Sequence, residues 1–104
     1  MNKLKIFISQ PMYGKTEEQI KQERQDLIKQ IEENGDTYIN SVFEGEDGLE
    51  EMTNDSIGIF YLGKSLEVMS EADQVWFMPG WDKSRGCKIE HLVAKEYKKK
   101  IIEL

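Results

Sequence analysis

The residues best suited to chemistry lie in one run near the carboxyl end: Pro79-Gly80-Trp81-Asp82-Lys83-Ser84-Arg85-Gly86-Cys87-Lys88-Ile89-Glu90-His91. Ser84, Arg85 and the amides around Gly86 stand where a helix should open. A helix start combines unpaired N–H groups with the positive end of the helix dipole, which makes this a candidate phosphate cradle. Glu90 follows about one turn inside that helix, so its carboxylate can point into the same pocket. A carboxylate is a poor partner for a phosphate, because the charges repel. It fits better as a group that attacks or stabilises an electropositive carbon, as in glycosidic-bond chemistry. The plainer reading of Glu90 is a first-turn acid that serves the helix dipole.

Neighbouring residues weigh less. His91 could shuttle a proton, but adjacent helical residues point about 100° apart, and a structural histidine is the simpler reading. Cys87 has no triad to join and reads as a small buried side chain. Trp81 follows Pro79-Gly80 and could stack on a base or pack over the sheet edge. A second candidate loop is Ser9-Gln10-Pro11-Met12-Tyr13-Gly14. It matches neither G-x-G-x-x-G nor a P-loop, which argues against a nicotinamide dinucleotide or ATP. Gly14 can still let backbone amides approach an anion at the next helix start.

These loops need elements to hold them. Leu4–Ser9 is a short apolar run and reads as a buried strand. Thr16 opens a helix, with Gln19 completing a capping-box pattern. Ile20, Leu27, Ile28 and Ile31 share one face of it, and Asn34-Gly35 ends it. Asp36–Val42 reads as a second strand, and an acidic loop follows. Ile59, Leu62, Leu66 and Met69 form a second helical stripe. Gln74–Met78 is a third strand, stopped by Pro79-Gly80. Asp82 or Ser84 can cap a third helix running to about Lys99, and Ile101-Ile102 begins a last strand. The order βαβαβαβ implies a parallel sheet with right-handed crossovers. The expected fold is a small α/β Rossmann-like (flavodoxin-like) three-layer sandwich with about four strands, one domain over residues 1–104. Ligands bind such sheets beyond the carboxyl ends of the strands, so residues 9–15, 40–56 and 79–90 should line the site.

Composition narrows the partners. The chain has 104 residues, one cysteine, one histidine and a formal charge of −6. That argues against an internal disulfide, a cysteine-based zinc site and a nucleic acid polymer as partner. No apolar run is long enough for a membrane span. The opening Lys3-Leu4-Lys5-Ile6-Phe7 lacks a signal-peptide core, so a cytoplasmic protein is expected. The negative surplus is local. Glu44, Glu46, Asp47, Glu50, Glu51 and Asp55 stand together without a base, whereas Lys83, Arg85 and Lys88 surround Ser84. A single nucleotide therefore remains compatible with the charge.

The stretch Ala72-Asp73-Gln74-Val75-Trp76-Phe77-Met78-Pro79-Gly80-Trp81-Asp82, continued by Ser84-Arg85-Gly86-Cys87-Lys88-Ile89-Glu90-His91, resembles the DUF4406, or nucleoside 2-deoxyribosyltransferase-like, family of small phage and bacterial proteins. Ile6 to Gly14 looks like its first strand and loop. The likeness covers nearly the whole chain and is weakest across residues 43–58. The wider superfamily cleaves or exchanges the N-glycosidic bond of nucleosides and nucleotides, with a catalytic glutamate four residues after a helix-opening glycine. Gly86 and Glu90 keep that spacing. The resemblance implies Glu90 as nucleophile and Ser84, with Arg85, as the phosphate contact of a nucleoside 5′-monophosphate.

Two positions depart from the pattern. Ser65 stands where relatives often carry an aspartate that protonates the leaving base, and Leu92 where enzymes of the superfamily often have glycine. Asp82, Asp55 or Glu67 would have to replace the aspartate, or the activity is lost. The resulting expectation is a nucleotide N-glycosidase or deoxyribosyltransferase-like protein with Glu90 and Asp82 as catalytic groups. Ser9, Gln10, Pro11, Met12, Tyr13, Gly14, Trp81, Ser84, Arg85 and Gly86 would contact substrate. Neither metal nor other cofactor is required, and a homo-oligomer is expected. The alternatives are an inactive nucleotide-binding protein and a partner-binding module acting through the acidic loop.

Overall fold

The computed structural model describes residues 3–40 and 54–104. Strand β1 spans Lys5–Ser9, helix α1 Glu17–Glu33, β2 Thr37–Ile39 and α2 Asn54–Met69. Strand β3 spans Gln74–Phe77, a 3-10 turn covers Trp81–Lys83, α3 spans Arg85–Glu96 and β4 Lys100–Glu103. The four strands pair in the order β2-β1-β3-β4, and every pairing is parallel. The expected α/β sandwich is therefore the fold of this protein.

Strand alternation divides the apolar residues between two layers of core. Ile6 and Ile8 meet Ile31 of α1, with Leu27, Ile28, Trp76 and Met78 packed around them. Phe7, Val75 and Phe77 face the other way, against Met69 and Ala94, with Leu66 and Val93 beside them. So α1 covers one face of the sheet, and α2 and α3 cover the other. Ser9 has the parity of Phe7, which directs its side chain towards α2 and α3.

Local signals place the helices. The Thr16 hydroxyl accepts from the Gln19 amide at 3.1 Å, while the Gln19 side chain accepts from the Thr16 amide at 2.9 Å. Asn34 closes α1, and Gly35 follows with a φ of +84°, a conformation that suits glycine. Of the two candidate caps for α3, Ser84 is the one used, its hydroxyl accepting from the Cys87 amide at 3.4 Å. Among the described residues no helix is long and apolar enough to cross a membrane.

Three expectations shift. The third helix stops at Glu96 rather than near Lys99, because Lys98 turns to a φ of 60° and β4 begins at Lys100. Lys99 instead donates its ammonium to the Ser70 and Ala72 carbonyls, just beyond the end of α2. The α2 stripe is buried only towards its end, for Ile59 is 71% exposed. A helix of that length rises about 24 Å, whereas the strands span roughly 17 Å. The first turns of α2 therefore overhang the carboxyl edge of the sheet. The second strand is described to Ile39. Asn40 is described and lies beyond the strand, whereas the expected strand end at residues 41–42, the acidic run Glu44–Glu51 and most of the expected lining 40–56 lie outside the described residues.

Candidate active site

The sheet order puts β1 between β2 and β3. The chain leaves β1 over one face through α1 and reaches β3 over the other through α2. The two crossovers part at the carboxyl ends of β1 and β3, which is the switch-point crevice of such sheets. Ser9 ends β1 there and pairs with Phe77 at the end of β3. Pro11 and Gly80 bring the loops after these strands together, since a side chain begun at Gly80 would stand 3.6 Å from the Pro11 ring.

Glu90 reaches into this crevice from α3. Only 7% of it is exposed, and it shares the inward face of α3 with Cys87 and Ala94. The Ser9 hydroxyl donates to Glu90 Oε1 at 2.7 Å. Burial pushes the carboxyl up to about 7 from an ordinary 4.5. Ser9, the Ser65 hydroxyl on α2 and the charge of Arg24 work against that rise. Burial likewise pushes the Cys87 thiol up, opposed mainly by the hydroxyls of Ser84 and Ser9. Ser9, Ser65, Ser84, Cys87 and Glu90 thus form one buried or half-buried group drawn from β1, α2 and α3.

Arg24 underlies the first loop. It is 3% exposed, and its Nε donates to Gln10 Oε1 at 2.8 Å. Gln10 donates through Nε2 to the Ile20 carbonyl at 2.9 Å and to Glu23 at 3.2 Å. Glu23 in turn pairs with Lys15 at 2.9 Å, and that bond holds its carboxyl below the usual range. Burial pulls the Arg24 guanidinium down, and the charges of Tyr38 and Glu90 oppose it. An arginine stays charged through such a shift, so a fixed positive charge lies near Glu90.

The other anticipated site residues divide. Ser9 touches Glu90, and Gln10 orders the loop against α1. Pro11 and Met12 are half-buried, and the Met12 carbonyl accepts from the Lys15 amide at 3.2 Å. Tyr13 is fully exposed, and Gly14 has a φ of +78°. Nothing lies within 4 Å of where a side chain would begin at Gly86, so the first turn of α3 is open there. Arg85 is exposed, and its guanidinium stands 3.5 Å from where a side chain would begin at Gly58 of α2. Asp82 is exposed on the 3-10 turn, and among the described residues it makes no side-chain hydrogen bond to Glu90. Trp81 stacks one face on His91, with centroids 4.1 Å apart and planes within 6°. His91 also meets Glu103 at 2.8 Å. Of the substitute acids, Glu67 is exposed and the Asp55 side chain lies outside the described residues. Among the described residues no three His, Cys, Asp or Glu side chains converge on a metal position.

Sequence reasoning passed over Arg24, and took Ser65 only as a missing acid rather than a neighbour of Glu90. The signal for Arg24 was available: it lies four residues after Ile20 and seven before Ile31, inside the apolar stripe of α1.

The family model described as a domain of unknown function, DUF4406, matches residues 4–103. The chain belongs to the DUF4406 family. The match spans all four strands and both groups of site residues, so the first loop and the Ser84–Glu90 segment are parts of one DUF4406 domain. No curated protein matches this DUF4406 chain.

Proposed function

We propose that this protein cleaves the N-glycosidic bond of a (deoxy)nucleoside 5′-monophosphate, as a hydrolase or a deoxyribosyltransferase, with Glu90 as nucleophile. The observation that carries the reading is the buried Glu90 carboxylate at the switch point, held by Ser9 at 2.7 Å and titrating near neutrality. Perturbed carboxylates of this kind gather at catalytic sites. A Glu90 oxygen attacks C1′, the bond to the base breaks, and the base leaves with the electron pair. Water or a second, free base then attacks C1′ and releases the sugar from the glutamyl ester, and the proton of the attacking water or N–H goes to solvent. Ser9 fixes the attacking carboxylate. Ser84 caps α3 through its hydroxyl oxygen at the start of that helix, and the open turn at Gly86 leaves room for a phosphate. The chemistry needs no cofactor, since binding aligns the reacting atoms. The same reading takes the protein as a cytoplasmic homo-oligomer.

Incubation of the protein with nucleoside 5′-monophosphates and chromatography of the free base tests this. Wild type should release base, and Glu90→Ala should not. Release from no nucleotide by folded protein would refute it. A second reading, an inactive nucleotide-binding protein, draws on Ser65, a hydroxyl where a second acid would serve. Stabilisation by a nucleotide in a thermal-shift screen, without turnover, would select that reading.

A further inference from the structure

Gln10 is among the expected substrate contacts, yet its amide is already committed inside the protein. The residue is 5% exposed. Its Nε2 donates to the Ile20 carbonyl at 2.9 Å and to Glu23 Oε1 at 3.2 Å, and its Oε1 accepts from Arg24 Nε at 2.8 Å. Both amide protons are therefore spent. The orientation is forced as well. Turned over, the amide would set its N–H groups against a guanidinium that only donates, and its oxygen against a carbonyl that only accepts.

The adjacent Ser9 is held from the opposite side. Neighbours in an extended chain direct their side chains to opposite faces. Ser9 turns towards α3 and donates to Glu90 Oε1 at 2.7 Å, while its carbonyl accepts from the Met78 amide at 2.9 Å. Gln10 turns towards α1 and is tied there to Ile20, Glu23 and Arg24. Their Cα atoms stand only about 3.8 Å apart. The pair thus joins the two helical layers across the carboxyl edge of the sheet. Arg24, whose charge favours the Glu90 carboxylate, is bonded to the same amide. A displacement of Gln10 is passed to Ser9 through the backbone and to Arg24 through the hydrogen bond, and both act on Glu90.

We infer that Gln10 is a positioning residue for the reaction at Glu90, setting Ser9 and Arg24 rather than recognising the base. The inference rests on the glycosidase reading. Attack on C1′ requires an aligned carboxylate, and a misplacement of about 1 Å can cost about 100-fold in rate. Losing such alignment lowers kcat and kcat/KM together, whereas losing a ground-state contact to the base raises KM.

Steady-state kinetics of base release from nucleoside 5′-monophosphates by the full chain tests this. Gln10→Leu should lower kcat about 10- to 100-fold, with KM within about threefold of wild type. Gln10→Glu still accepts from Arg24 but sets a carboxylate against Glu23, and it should lose kcat likewise. Adding Glu23→Gln restores a donor facing that carboxylate and should recover about tenfold in kcat. The Gln10→Glu pair of proteins decides the matter where Gln10→Leu does not fold. A raised KM with kcat unchanged, wild-type kinetics in the variants, or no recovery in the double variant would overturn the inference and leave Glu90 as nucleophile. Base release by no protein, wild type included, would overturn the glycosidase reading and the inference with it.

Discussion

Replacing Glu90 by glutamine should make the protein more stable, and only towards alkaline pH. The Glu90 carboxyl is 7% exposed and titrates near 7 rather than 4.5. Its affinity for a proton is thus higher in the folded chain than in the unfolded one. Below pH 4.5 both states are protonated and the group adds no penalty. Between about 4.5 and 7 the unfolded chain ionises first, so stability falls as pH rises. Above 7 both states are charged, and the folded state carries the full cost of a desolvated carboxylate, about 3 kcal/mol. Glutamine keeps an oxygen to accept from Ser9 and brings no charge. Glu90→Gln should therefore gain up to about 3 kcal/mol at pH 8.5, or roughly 10–20 °C in Tm for a domain of this size. At pH 4 the gain should vanish. Calorimetry of both proteins at both pH values measures the difference, and the comparison cancels every other titrating group. A variant no more stable than wild type at pH 8.5 would show that the carboxylate is not desolvated, and the argument for a tuned nucleophile would fail.

Three further outcomes follow from the same contacts. Arg24→Met removes a positive charge facing Glu90 and the donor to Gln10. The pH midpoint of base release should move upward, at a stability cost of about 2 kcal/mol; an unmoved midpoint would remove Arg24 from the site. Thr16→Ala breaks the capping box on α1 and should cost about 1 kcal/mol in urea denaturation, without changing base release. Lys98→Gly should raise the stability measured by urea denaturation by about 1 kcal/mol, because Lys98 holds a φ of 60°.

Much of the fold could be read from local pattern. The apolar run ending at Ser9 and the Thr16–Gln19 box mark β1 and α1, because strand burial and helix capping act over a few residues. The end of α3 could not, since the turn at Lys98 uses no glycine or proline to announce itself. Nor could the exposure of Ile59, which depends on how far the sheet extends beneath α2.

The site shows the same division. Glu90 and Ser84 stood out by their spacing. Their joining to Ser9 at the opposite end of the chain followed from topology alone. Arg24 is legible only from its position in the α1 stripe, where a charged side chain falls among the apolar ones that face inward. The partner of Trp81 is set by the turn of α3, which brings His91 beneath the ring. No spacing rule gives that.

The central claim is that Glu90 forms a bond to the sugar. Intact-protein mass spectrometry after incubation with 2-fluoroarabinosyl nucleoside 5′-monophosphates tests it most directly, because the fluorine slows hydrolysis of the ester. The account predicts one added fluoroarabinosyl phosphate, on the peptide containing Glu90, absent from Glu90→Gln. An adduct elsewhere, or none while the base is still released, would contradict it.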